Sequence, residues 1–205
     1  MLEGLTAGFI FSLTLYPGAV WLVKLGYGAS SRGVLAVGFA LFLSQSVWVS
    51  LSVPGLRMIA AHLDLLREGV HLFAALVLAY MAWKFFRAER VESLQVRKPV
   101  VEPLDLFRNT LKQSLAMPMR LPAVMAILLS TGVFVNHEPT WENVPQIMLG
   151  GLVGTLAWWG QFTFLSLAFV KRVPVRITLK SLNKIRPFCS GLCVCLAVIV
   201  LLLGF

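Results

Sequence analysis

A chain of 205 residues with 58% hydrophobic residues, 13% charged residues and a mean hydropathy of +0.82 is not a water-soluble domain, whose charged share is about 25%. The bilayer is its main solvent. A net charge of +9 and a pI near 10.0 would point to nucleic acid in a soluble protein, but here the basic residues collect between apolar runs and read as topology signals.

The first apolar run, residues 2–23, carries only Glu3 near its start and lacks the basic region of a cleaved leader, so it is expected to stay as a mature helix. Further runs follow at 33–53, 69–86, 111–135, 144–170 and 185–205, each near the roughly 20 residues that cross ~30 Å of hydrocarbon. They predict an all-α polytopic membrane protein with six transmembrane helices. The polar stretch 87–108 holds Arg87, Arg90, Arg97, Lys98 and Arg108 against Glu89, Glu92, Glu102 and Asp105, with Pro99 and Pro103, and reads as a solvated linker. The expected organisation is a first three-helix repeat at 1–90, a cytoplasmic linker at 91–105 and a second three-helix repeat at 106–205.

Cytoplasmic loops are enriched in Lys and Arg. Of the 18 basic residues, 15 fall in 24–32, 84–112 and 171–186, the odd-numbered loops with their flanks. The even-numbered loops carry Arg57 and Arg67 beside Asp64 and Glu68, or, around Asn136 to Asn143, only Glu138 and Glu142. The odd loops are therefore expected in the cytoplasm and both termini on the periplasmic side of a bacterial inner membrane. Halves of three spans then enter the membrane in opposite senses, the arrangement of inverted-topology repeats.

Solute sites in membrane proteins often form where a helix is broken, because freed backbone groups can coordinate the solute. In the first span Tyr16-Pro17-Gly18 sits well inside the apolar run, next to Thr14. In the fourth, Met117-Pro118-Met119-Arg120-Leu121-Pro122 does the same in the corresponding place of the second half. The alternative for each is an ordinary kink.

The stretch from Gly8 to Gly18, the Ser31-Arg32-Gly33 start of the second span and Gly38 within it resemble the amino-terminal half of the LysE/RhtB family of small-solute exporters. The fourth span resembles that family's Asn-Pro-Lys segment, and Leu182-Asn183-Lys184 with Ser190-Gly191 resembles the lead into its last span. Ala19 stands at the second proline of the family's Pro-Gly-Pro turn, Met117 and Met119 flank Pro118, and Ser44-Gln45 stands where the family tends to have Gly-Asp. The resemblance implies secondary transport: export of an amino acid or a similar small zwitterionic or anionic metabolite. The substituted positions leave a second class open, a non-transporting membrane scaffold or assembly protein built on the same fold.

Arg120 is a charge within a predicted span, with no Asp or Glu in the middle of any span to pair with it. Such a group usually faces a cavity, a partner or an anionic ligand, and here a solute carboxylate would match its donor fork; the alternative is that it snorkels to the cytoplasmic face. Gln45, with Ser44 and Ser46, suits either a polar cavity or an interhelical bond. Trp158, Trp159 and Gln161 in the fifth span combine apolar faces with polar handles, for gating or for packing. His71 is open to proton relay or a structural role. Cys189, Cys193 and Cys195 sit in one apolar run without a Cys-x-x-Cys motif, so core packing is preferred over redox or metal chemistry. The candidate solute-binding residues are thus Thr14, Pro17, Gly18, Gln45, Pro118, Arg120, Trp159 and Gln161. No nucleophile with a base, phosphate loop, metal-ligand spacing or cofactor motif accompanies them, so an enzyme is not expected. Expected partners are a small-molecule solute and membrane lipid, with a homodimer as the plausible oligomer.

Overall fold

In the computed structural model, the residues described are 1–14, 16–28, 31–60, 63–94, 102–133, 140–168 and 172–204, without the side chains of 16, 60 and 63–68. Arg97, Lys98 and Pro99 of the expected linker, and Asn136 and Glu138 of the expected fourth loop, lie outside them. The described residues form eight helices: α1 Leu2–Leu13, α2 Tyr16–Gly28, α3 Ser31–Ala60, α4 Leu63–Arg87, α5 Pro103–Leu115, α6 Arg120–Ser130, α7 Val144–Ala168 and α8 Val175–Gly204.

Three of these, α3, α4 and α8, are long and apolar enough to cross a membrane, and there are five candidate spans when α1 with α2 and α5 with α6 each count as one crossing. α7 has the length, 25 residues, but its glycines, Trp158, Trp159 and Gln161 make it less apolar. The chain is therefore an all-α polytopic membrane protein. Its apolar residues face outward as well as inward: Leu72, Leu76 and Phe86 on α4 and Val194, Val198 and Leu202 on α8 are exposed, as expected where lipid is the solvent.

Two expected spans are not continuous. The run 2–23 is split into α1 and α2, which meet at 63°, and the run 111–135 belongs to α5 and α6, which meet at 71°. Pro17 lies in the first turn of α2 and Pro118 just ahead of α6, where a residue without an N–H is tolerated and the previous helix cannot continue through it. Pro54 within α3 and Pro187 within α8 do not interrupt their helices. Nor is the stretch 87–108 solvated throughout. Leu94 is buried against Val23 and Leu182, and Asn183 clamps Val91, accepting from its N–H at 2.9 Å and donating to its carbonyl at 3.1 Å. α5 already begins at Pro103, with proline and Asp105 in its first turn and Lys112 in its last.

Helix directions follow from the residues that meet. α1 runs parallel to α7, with Gly4 against Ile147 and Gly8 against Gly151; a Cβ on either glycine would lie 2.2 Å from the facing carbonyl oxygen. Only glycine permits that approach, which brings Cα–H groups onto backbone oxygens. α5 runs parallel to α3, as Phe107 stacks on Phe39 and Ser114 meets Ser44. α3 and α7 are antiparallel, with Gly38 against Thr163 and Val49 against Gly151. So are α4 and α8: Gly204 packs on His71, Ser190 donates to the Ala82 carbonyl at 2.8 Å, and Arg186 donates to the Ala88 carbonyl. α6 is almost wholly interior, burying Ala123, Val124, Ala126, Ile127, Leu128 and Leu129 among α1, α3, α4 and α8.

Candidate solute site

α3 is 30 residues long, and Ser44 and Gln45 stand at its midpoint, ~20 Å from either end. Both are wholly buried. Consecutive residues point about 100° apart around a helix, so the two side chains address different neighbours.

Gln45 faces α1 and α7. Its Oε1 accepts from Trp159 Nε1 at 2.7 Å and from Ser12 Oγ at 2.5 Å. An indole N–H can only donate, so the oxygen of the amide must be the atom turned toward Trp159. Nε2 is then the remaining end, and it is buried without a partner among the described residues. Ser12 is the last buried residue of α1 before its end at Leu13, and the same hydroxyl lies 2.9 Å from the Gly8 carbonyl. The glycine contact of α1 on α7 sets the depth at which Ser12 and Trp159 meet Gln45.

Ser44 faces α5. Its Oγ donates to Ser114 Oγ at 2.9 Å, and Ser114 Oγ also accepts from Arg120 Nη1 at 2.8 Å. Arg120 opens α6, is 8% exposed, and makes one further contact, Nη2 to Met117 Sδ at 3.7 Å. It points inward onto Ser114 and does not snorkel. Among the described residues no carboxylate is paired with it. The guanidinium thus retains charge and donors that no described residue matches.

The two helix breaks therefore connect to one level of α3, the first through Ser12 and Gln45, the second through Arg120, Ser114 and Ser44. Of the residues expected from sequence, Gln45, Trp159 and Arg120 are brought to this level. Thr14 is buried one residue beyond α1 and its hydroxyl donates back to the Phe11 carbonyl at 2.7 Å. Pro17 and Pro118 are exposed, Gly18 is half-buried, and Gln161 lies on the exposed side of α7. Ser12 and Ser114 were not singled out from sequence. Their signal was faint: Ser12 continues the four-residue spacing of Gly4 and Gly8, and Ser114 is the buried residue of an otherwise half-polar α5. His71 is 2% exposed against Gly204. Cys189 and Cys193 are buried free thiols, Cys189 donating to the Leu13 carbonyl at 3.4 Å, and Cys195 is exposed.

Two interrupted membrane helices whose breaks lead to buried polar groups, Arg120 on one side and Gln45 on the other, are an arrangement that membrane transport proteins use. The chain belongs to the LysE type translocator family, which it matches over residues 11–204, a span that takes in both breaks and every residue of the two hydrogen-bond chains. Membership makes it a multi-pass membrane translocator, not an enzyme, and an exporter of small solutes such as amino acids. No curated protein and no solved structure matches the chain.

Proposed function

We propose that the chain is a six-span secondary transporter that exports an amino acid or a similar small zwitterionic or anionic metabolite. The solute passes between the two broken segments at the level of Ser44 and Gln45. Spans that cross alternately require spans one and five to be parallel, two and four parallel, and two and five, and three and six, antiparallel. All four relations hold between α1 and α7, α3 and α5, α3 and α7, and α4 and α8. The packing of α1 on α7 has its counterpart in α5 on α3, as inverted three-helix repeats at 1–90 and 106–205 would give. The positive-inside rule then puts the linker in the cytoplasm and both termini in the periplasm.

The observation that carries the reading is the convergence of both breaks on the middle of α3. Thr14, Pro17 and Gly18 supply the opened backbone on one side and Pro118 on the other. Gln45 and Arg120 supply polar contacts and Trp159 a wall, while Gln161, on the exposed side of α7, takes no part in the path. Purified protein in proteoliposomes, tested for counterflow across a pool of amino acids and organic acids, should exchange at least one of them. A protein that exchanges none at normal reconstitution is not a transporter.

A further inference from the structure

One face of α5 is polar and exposed at a depth where contact with lipid is unfavourable. Asp105, Arg108, Asn109, Lys112 and Gln113 are all exposed and recur at the spacing of one helix face, which Met117 continues past the end of the helix. The opposite face packs on α3, where Phe107 stacks on Phe39 and Ser114 meets Ser44. These contacts fix the depth. Ser44 stands at the midpoint of the 30-residue α3, whose only charges, Arg32 and Arg57, lie near its two ends. Lys112, two residues before Ser114, is then ~3 Å short of the midplane and ~12 Å inside the hydrocarbon boundary. Arg108 and Asn109 lie one turn nearer the surface. A lysine at that depth is costly against lipid, and Asn109 and Gln113 lack the long apolar stem that lets a side chain snorkel out. Nor does a second copy suit this face. A twofold axis along the membrane normal brings each residue to the level of its own mate, so Lys112 would meet Lys112 of the second copy and Arg108 would meet Arg108. The one acid of α5, Asp105, lies ~10 Å below Lys112 and reaches neither level of the lysine pair.

We propose that the polar face of α5 lines a water-filled cleft that opens to the cytoplasm and ends at Met117, and that the solute reaches Arg120 through it. Met117 is 48% exposed at the inner end of the stripe, its Sδ lies 3.7 Å from Arg120 Nη2, and Arg120 behind it is 8% exposed. The thioether thus closes the cleft over the guanidinium, and a solute coming from the cytoplasm displaces an unbranched, adaptable side chain to reach it. The solute's use of the cleft rests on the transport reading above; the water in it rests on depth and exposure alone.

The test is thiol labelling of the full-length chain in membrane vesicles with a membrane-impermeant methanethiosulfonate carrying a sulfonate. The parent is the blank, since Cys189 and Cys193 are buried and Cys195 is on the apolar α8. Asn109→Cys and Gln113→Cys are neutral exchanges on an exposed face and should accumulate as the parent does. In inside-out vesicles both should react at least about tenfold faster than the lipid-facing controls Leu76→Cys and Val198→Cys, because the reagent needs a hydrated thiolate. In right-side-out vesicles neither should react. Labelling no faster than the controls, or from the periplasmic side alone, would overturn the cleft. Quantitative oxidative cross-linking of Asn109→Cys into dimers would show a second copy on this face and overturn it equally. Counterflow in proteoliposomes separates the two claims. A chain that labels as expected but exchanges no solute keeps the cleft and loses transport, whereas one that exchanges solute without labelling keeps transport and loses the cleft.

Discussion

Replacing Gln45 by leucine and Trp159 by phenylalanine, singly and together, measures the bond at the centre of α3. In Gln45→Leu the Trp159 N–H loses its acceptor at a position that is 1% exposed, and an orphaned buried donor costs about 1–3 kcal/mol. Removing the unpartnered Nε2 returns part of that, so the single variant alone is ambiguous. The ambiguity cancels in a double-mutant cycle, because the relief is present in both backgrounds that carry leucine at 45. The lost indole volume of Trp159→Phe cancels likewise. What remains is the orphaning of Trp159 Nε1, which occurs in Gln45→Leu and not in the double variant. Ser12 contributes little, since its hydroxyl keeps the Gly8 carbonyl. The double variant is thus expected to be more stable than the sum of the singles predicts by about 1–3 kcal/mol. The assay is unfolding in mixed detergent with rising SDS, followed by circular dichroism. Additivity within about 0.5 kcal/mol would mean that no Trp159–Gln45 bond exists and would leave the Gln45 amide unoriented.

Two further outcomes follow from the packing and the charge pattern. Gly8→Val puts a side chain where even a Cβ would lie 2.2 Å from the Gly151 carbonyl oxygen, so α1 and α7 must separate; a loss of about 1–3 kcal/mol and lower membrane abundance are expected. Gly191→Ala, with nothing within 4 Å of the added carbon, should leave stability and abundance unchanged, and equal behaviour of the two variants would contradict the close α1–α7 contact. Reporter fusions after Lys98 and after Lys180 should read cytoplasmic and a fusion after Asn136 periplasmic; opposite readings at any two would overturn the six-span orientation.

Much of the architecture was legible because hydropathy is a local quantity. The six windows overlap the observed helices, and both breaks were visible as prolines within apolar runs. Helix ends were less so: α5 starts at Pro103 inside a charged stretch, since charge marks where a helix leaves the hydrocarbon and not where it ends. Partners were the least legible. Arg120 and Gln45 stood out as polar groups in apolar surroundings, but Ser12 and Ser114 did not, because a serine in a membrane helix can return its hydroxyl to its own backbone and its partner is chosen only by packing. Trp159 and Gln161 show the same limit on one helix. Two residues apart they point about 200° away from each other, so only one can face α3. α7 spreads its apolar and its few polar residues around the whole helix, so its sequence does not say which side faces inward. The glycine approach of α1 to α7 sets that rotation, through a register between distant helices that no single-helix periodicity contains.

The central claim, that the solute binds between the two breaks with Arg120 at its anionic end, is tested most directly by initial flux through Arg120→Lys and Arg120→Met. Both are compared with the parent chain at equal protein per liposome, using a carboxylate that the parent exchanges. Lysine keeps the charge but not the planar fork that reaches Ser114 and a carboxylate together, so a weakened apparent affinity with residual flux is expected. Methionine keeps the apolar stem and removes the charge, and flux should fall by at least about tenfold while abundance and melting stay near those of the parent. Parental flux through Arg120→Met at equal abundance would contradict the account.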